Sequence, residues 1–169
     1  MKAGLKLTEL EVFKLIKKDV IYNRELGKVF WKNRSDSIVK EGAEIGVLPT
    51  SRHKGFNVRG RTCCVHRLIY WLENDTLPEM VDHKNRDPRD NRIDNLRAAT
   101  RSQNGMNANV RSNNKLGVKN VSPLRGKYKV QLYKDKKGIC IGTFESLELA
   151  ELIASEAREK YHGEFCCHG

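Results

Sequence analysis

The chain is 169 residues long, room for one ordinary domain or two small ones, and 32 Lys and Arg against 21 Asp and Glu give a formal net charge of +11. A chain this basic faces a polyanion, nucleic acid ahead of an anionic membrane; with no apolar run of bilayer length and no apolar signal core after Met1, a cytoplasmic protein with no membrane partner is expected. The five cysteines fall as Cys63-Cys64, Cys140 and Cys166-Cys167, an odd count without the paired spacings of a disulfide framework or of structural zinc, so reduced thiols and no zinc are expected.

In chain order, Thr8-Glu9-Leu10-Glu11 has the capping-box pattern, and Val12, Phe13, Leu15 and Ile16 among lysines make a short amphipathic helix. From Val20 to Arg61, short apolar pieces (Val29-Phe30-Trp31, Ile45-Gly46-Val47, Phe56-Asn57-Val58) alternate with glycines 27, 42, 55 and 60, which predicts strands in hairpins. Val65 to Leu72 reads as a helix that buries Leu68, Ile69 and Leu72 and is stopped by Asn74-Asp75 and Pro78. A strand at Met80–His83, a polar loop from Lys84 to Asp94, a strand at Leu96–Ala99 and a helix opened by Thr100-Arg101-Ser102-Gln103, a second capping box, come next. Residues 108–115 are poor in apolar side chains and read as a linker. Beyond it, Gly117-Val118-Lys119, Lys127–Tyr133 and Ile139–Phe144 read as three strands, joined through Pro123–Gly126 and Asp135–Gly138. A closing helix from Ser146 to Tyr161 carries an apolar stripe of Ala150, Ile153, Ala154 and Ala157.

The chemistry concentrates in Asp82-His83-Lys84-Asn85 and the asparagines that follow it. Hydrolysis of a phosphodiester needs a water activated near neutral pH and a cation to neutralise charge on the phosphorane oxygens. His83 can accept the proton; Asp82 and the Asn104 side-chain oxygen are hard donors suited to magnesium or manganese. Neighbours on a strand point to opposite faces, so Asp82 and His83 can converge only at a strand end. Asn91 and Asn95 suit loop orientation, because asparagine amides satisfy backbone groups in turns. Singly, each residue has an ordinary reading as surface histidine, loop cap or turn former; jointly they suggest metal-assisted cleavage of nucleic acid.

Val81-Asp82-His83-Lys84-Asn85, Asn91-Arg92-Ile93-Asp94-Asn95-Leu96-Arg97 and Thr100-Arg101-Ser102-Gln103-Asn104 resemble the HNH homing endonucleases of phages. The stretches Tyr22–Trp31 and Val65–Ile69 resemble that family's amino-terminal region. The resemblance implies a ββα-metal finger with His83 as general base, Asp82 and Asn104 as ligands of one divalent cation, magnesium ahead of manganese, and Asn95 orienting the histidine loop or the scissile phosphate. Packing, or a hydrogen bond at a helix start, is the expected role of His66.

In the carboxy-terminal segment Lys119, Arg125, Lys127, Lys129, Lys134, Lys136 and Lys137 crowd the strands and turns, while glutamates populate the helix, so DNA should meet the sheet. Lys129, Gln131 and Tyr133 alternate with Val130 and Leu132 and make its polar face. Gly117-Val118, Gly126-Lys127-Tyr128, Ile141-Gly142-Thr143-Phe144 and Tyr161-His162-Gly163-Glu164 are similar to the AP2 DNA-binding domain, although Val121, Tyr133 and Cys140 stand near positions where that family carries its arginine and tryptophan base readers.

The expectation is therefore an α+β chain: an HNH nuclease domain over residues 1–107, a linker at 108–115, and an AP2-like sheet-and-helix domain over 116–169. Its expected activity is metal-dependent, site-directed (homing-type) hydrolysis of double-stranded DNA to 5′-phosphate and 3′-hydroxyl ends, in a phage-infected host. Arg97, Arg101, Lys119, Arg125, Lys127, Lys129, Gln131 and Tyr133 are the candidate DNA contacts. No protein partner is implied, and one catalytic motif per chain favours a monomer over a dimer. The alternatives are a non-cleaving, sequence-specific regulatory DNA-binding protein and an HNH nuclease selective for branched DNA.

Overall fold

Thr8 caps α1 (Glu9–Ile16) as its sequence requires: its hydroxyl accepts from the Glu11 N–H at 3.3 Å, and the Glu11 carboxylate takes the Thr8 N–H at 2.7 Å. A box of this kind contributes about 1 kcal/mol and fixes where the helix starts. The computed structural model describes residues 6–32, 41–46 and 53–168, which fall into two compact units dividing between Ala98 and Ala99.

The first unit continues with the antiparallel hairpins β1 (Val20–Asn23) with β2 (Lys28–Trp31) and β3 (Gly55–Val58) with β4 (Arg61–Cys64). Of the strand expected at Ile45–Val47, the described part makes only backbone bonds to β2, Ile45 N–H donating to Val29 O at 2.8 Å, beside a single bridge from Glu44 to Phe30. Val47 lies outside the described residues. Helix α2 (Val65–Asn74) ends on Asp75, whose φ of 51° lets its N–H reach back to Trp71 O. Its buried face is Val65, His66, Leu68, Ile69 and Trp71, so Trp71 takes the depth expected of Leu72, which is half-buried.

Phe13 packs between Phe56 and Trp71, at ring-centroid distances of 6.4 and 5.8 Å, and Val12, Ile16, Val29, Val58, Leu68, Ile69 and Val81 complete one apolar core. Arg67, on the edge of that core, donates from Nε to Glu9 at 2.8 Å and from Nη1 and Nη2 to the carbonyls of Glu79 and Pro78. That fork holds α1, α2 and the approach to β5 (Met80–His83) in one arrangement. β5 pairs with β6 (Leu96–Ala99), as expected from the sequence.

The second unit starts with α3 (Arg101–Met106), capped by Thr100 and Gln103 in the expected box. Its sheet is antiparallel in the order β7 (Val121–Leu124), β8 (Lys127–Lys134), β9 (Lys137–Phe144), and α4 (Leu147–His162) lies on it. The core joins Val118, Val121, Val130 and Leu132 to Ala150, Ala154 and Ala157; the three alanines recur at helical spacing and let the helix approach the strands closely. The first strand departs from expectation. It begins at Val121, after the turns at 115–116 and 119–120, and runs through Pro123 to Leu124, leaving Arg125-Gly126, with φ of 50° and 80°, as a two-residue turn. Pro123 is tolerated because β7 is an edge strand, where a missing N–H costs no ladder bond. The segment 108–115 lies within this unit, where Asn114 holds the next turn by accepting from Leu116 N–H and donating to Val118 O.

Candidate functional site

The loop between β5 and β6 is built from side chains bonded to backbone. Asn85 Oδ1 accepts from Asp87 N–H and Asp87 Oδ1 from Arg89 N–H, both at 2.9 Å, and each closes a short Asx turn. Asn85 Nδ2 reaches the Asp90 carboxylate at 2.9 Å. Arg92 grips the same carboxylate through Nε and Nη2 at 2.8 and 2.7 Å, and its hydrogen bond holds Asp90 down at a pKa of about 2. Asn95 closes the loop: its Oδ1 accepts from Asn85 N–H, and its Nδ2 donates to Asn85 Oδ1 and Asp90 O. Lys84 N–H to Asn95 O at 2.8 Å ties the two ends. Polar groups that would each be costly to leave unmet are here met by one another.

Inside this frame sits His83, 5% exposed, with Nε2 at 2.9 Å from Asn91 Oδ1. An amide oxygen can only accept, so Nε2 carries the proton of the neutral ring and Nδ1 carries the lone pair. Asp82, also 5% exposed, meets Arg97: its Oδ2 accepts from Nε at 2.9 Å and from Nη2 at 2.8 Å. Asp82 and His83 thus engage different partners although they are adjacent in sequence.

Two further histidines pack around His83. His66, from the first turn of α2, and His53, just before β3, have ring centroids 5.0 and 5.7 Å from that of His83, and 4.9 Å from each other. Among the described residues His66 Nδ1 is buried without a hydrogen-bond partner. Burial first, then the neighbouring imidazoles His83 and His53, pushes its pKa down to about 3, so it is a neutral ring at physiological pH. Packing was the expected role of His66, but nothing in its local sequence indicated that the packing is against His83. His53 carries no sequence signal at all, because its arrival depends on where a hairpin folds back.

The other sequence-derived residues are distributed as follows. Asn104 is a half-buried residue of α3, in the second unit. Among the described residues no group of three or more His, Cys, Asp or Glu side chains is arranged to hold a metal. The Asp82 carboxylate in the first unit and the Asn104 amide in the second are each hard-oxygen donors of the kind that alkaline-earth-type cations take. Arg101 is exposed. Arg97, expected against DNA, lies on the Asp82 carboxylate. Lys119, also expected against DNA, is half-buried and donates from Nζ to the carbonyls of Met106 and Ala108 at 2.6 and 2.5 Å, and burial lowers its pKa. On the sheet, Arg125 and Lys127 are exposed, Lys127 pairs with Glu145 at 3.0 Å, and Tyr133 is 61% exposed. Lys129 and Gln131 alternate with the fully buried Val130 and Leu132, and a register shift between Val130 and Gln131 bends the strand there. No helix among the described residues is long and apolar enough to cross a membrane.

Residues 63–106, which run from β4 through α2, the β5–β6 loop and α3, match the family model of the HNH endonucleases. That match supports a nuclease, and HNH nucleases act on DNA with a divalent metal. No curated protein and no solved structure matches the chain.

Proposed function

We propose that the chain is a divalent-metal-dependent, site-directed DNA endonuclease of the homing type, in which residues through 107 cut and an AP2-like module from 116 holds the DNA. The observation that carries this reading is His83, fixed by Asn91 through Nε2 inside a self-bonded loop, within the segment that matches the HNH endonucleases. A base held this way has one defined nitrogen for the proton of an attacking water, and His83 Nδ1 takes that role. Asn91 fixes the ring, while Asn95, through its bonds to Asn85 and Asp90, fixes the loop. Asp82 and Asn104 would hold the cation, with magnesium preferred. When bound, that ion supplies neutralisation of charge on the phosphorane and on the departing 3′ oxygen, leaving 5′-phosphate and 3′-hydroxyl ends. The polar face of the second unit's sheet, with Lys129, Gln131 and Tyr133 beside Arg125 and Lys127, supplies phosphate and groove contacts, so binding falls as salt rises.

A plasmid-nicking assay tests the proposal. Wild-type cutting should stop on chelation of divalent metal, and His83→Ala should lower the rate by about 10²- to 10⁴-fold, the usual contribution of a general base. Undiminished cutting by that variant overturns the assignment. One observation favours a second reading, a regulatory protein that binds DNA without cutting it: the Asp82 carboxylate is already neutralised by Arg97. Tight, metal-independent binding with no cleavage of duplex or branched DNA would establish it.

A further inference from the structure

The β1–β2 turn touches the loop that carries Asn91, and it does so through a residue with no side chain. A methyl group on Gly27 would lie 2.4 Å from Arg92 N, 2.6 Å from Asn91 C and 2.9 Å from Arg92 Cα. All three are backbone atoms, far inside the normal carbon contact distance of about 3.5 Å, so a side chain here could be accommodated only by moving the loop. Both surfaces are stiff on their own account. The turn is closed by Asn23 Oδ1, which accepts from Leu26 N–H at 2.9 Å. The loop is closed by the Asn85, Asp90, Arg92 and Asn95 bonds described above.

We propose that Gly27 is a positioning residue for His83: the bare turn backs the Asn91–Arg92 peptide, sets the depth of the Asn91 side chain, and so keeps the His83 ring in a single orientation and tautomer. The chain of contact is short, from Gly27 to the Asn91 backbone, from Asn91 Oδ1 to His83 Nε2. Its consequence for cutting rests on the nuclease reading; its consequence for the imidazole does not.

The fold contains its own control. The shorter β3–β4 turn is also closed by an asparagine accepting from the N–H three residues on, Asn57 Oδ1 from Gly60 N–H at 3.0 Å, and Gly60 has φ +79° against +60° for Gly27. A methyl group on Gly60 meets nothing within 4 Å among the described residues. Gly27→Ala and Gly60→Ala therefore share the cost of an L-residue in the left-handed region and differ in the clash.

The test uses the full chain. Long-range ¹H–¹⁵N correlation spectra at pH 8, with the His83 signals identified by their loss in His83→Gln, report the tautomer directly. Wild type and Gly60→Ala should show His83 protonated on Nε2. Gly27→Ala should show a mixture of tautomers, and kcat for nicking should fall about 10- to 100-fold with KM within about twofold, the size of loss expected when a reacting group is displaced by a fraction of an ångström to an ångström. Should Gly27→Ala fail to fold, Asn23→Ala relaxes the same turn without a clash and should give the same tautomer mixing in weaker form. An unchanged His83 tautomer in the folded Gly27→Ala, or in Asn23→Ala where that variant replaces it, overturns the proposal; so does equal mixing in Gly60→Ala. If the wild type cuts no DNA, the tautomer comparison alone decides the matter, and the nuclease reading fails separately.

Discussion

The two units keep their buried charge in different ways. In the first, short strands of four residues carry a loop whose order comes from amide and carboxylate side chains bonded to backbone, with a buried carboxylate, Asp82, held by the Arg97 guanidinium. In the second, two strands of eight residues and a helix of sixteen supply regular backbone bonds, and charged groups sit mostly at the solvent face. Under the proposed roles the lesson is that a site needing a fixed proton acceptor uses polar side chains to immobilise a few atoms, whereas a surface for recognition needs only a stiff plate.

The comparison fails first if Arg97 proves dispensable. Arg97→Ala removes the guanidinium that makes two bonds to the buried Asp82 carboxylate, and the expected cost is about 3–5 kcal/mol in chemical denaturation. Loss of a core side chain in the second unit should be of similar or smaller size: Leu132, fully buried against α4, should cost about 2–5 kcal/mol as Leu132→Ala. Asn95→Ala strips the Asn85 N–H and the Asp90 carbonyl of their partners, and about 1–3 kcal/mol of stability should go with them. Lys127→Ala, at an exposed pair with Glu145, should move stability by less than about 1 kcal/mol. A cost at Lys127 comparable to that at Arg97 would erase the contrast between the units.

Acid sharpens the same contrast. His66 has its folded-state pKa depressed from 6.5 to about 3, so the unfolded chain binds more protons in that interval and stability rises with pH across it. The contribution is whole above about pH 6.5 and is lost as pH falls toward 3. His66→Phe should flatten that part of the stability profile, followed by chemical denaturation at a series of pH values.

What the sequence made legible were features encoded locally. The capping boxes at Thr8 and Thr100 and the strands flanking the Asp82-His83 loop depend on residues within a few positions of one another, and they form where the pattern puts them. Asn91 was readable as a loop residue, but its bond to the His83 ring eight positions away was not. The start of β7 was misread because Gly117-Val118 looks strand-like, while the alignment against β8 begins at Val121 opposite Val130, a choice made by cross-strand packing. His53 beside His83, Gly27 beneath Asn91 and Arg97 on Asp82 are contacts between distant or differently paired segments, and no local pattern encodes them.

The ammonium group of Lys119 closes the carboxyl end of α3, while Arg158, 2% exposed on α4, binds the Lys119 carbonyl from its Nη1 at 2.7 Å. These bonds splice the short helix bearing Asn104 into the sheet-and-helix assembly. A fragment ending at residue 107 would strip the Met106 carbonyl of its donor and leave a six-residue helix too short to persist by itself. Anyone dividing this polypeptide for expression should therefore keep Thr100 through Arg158 in one piece.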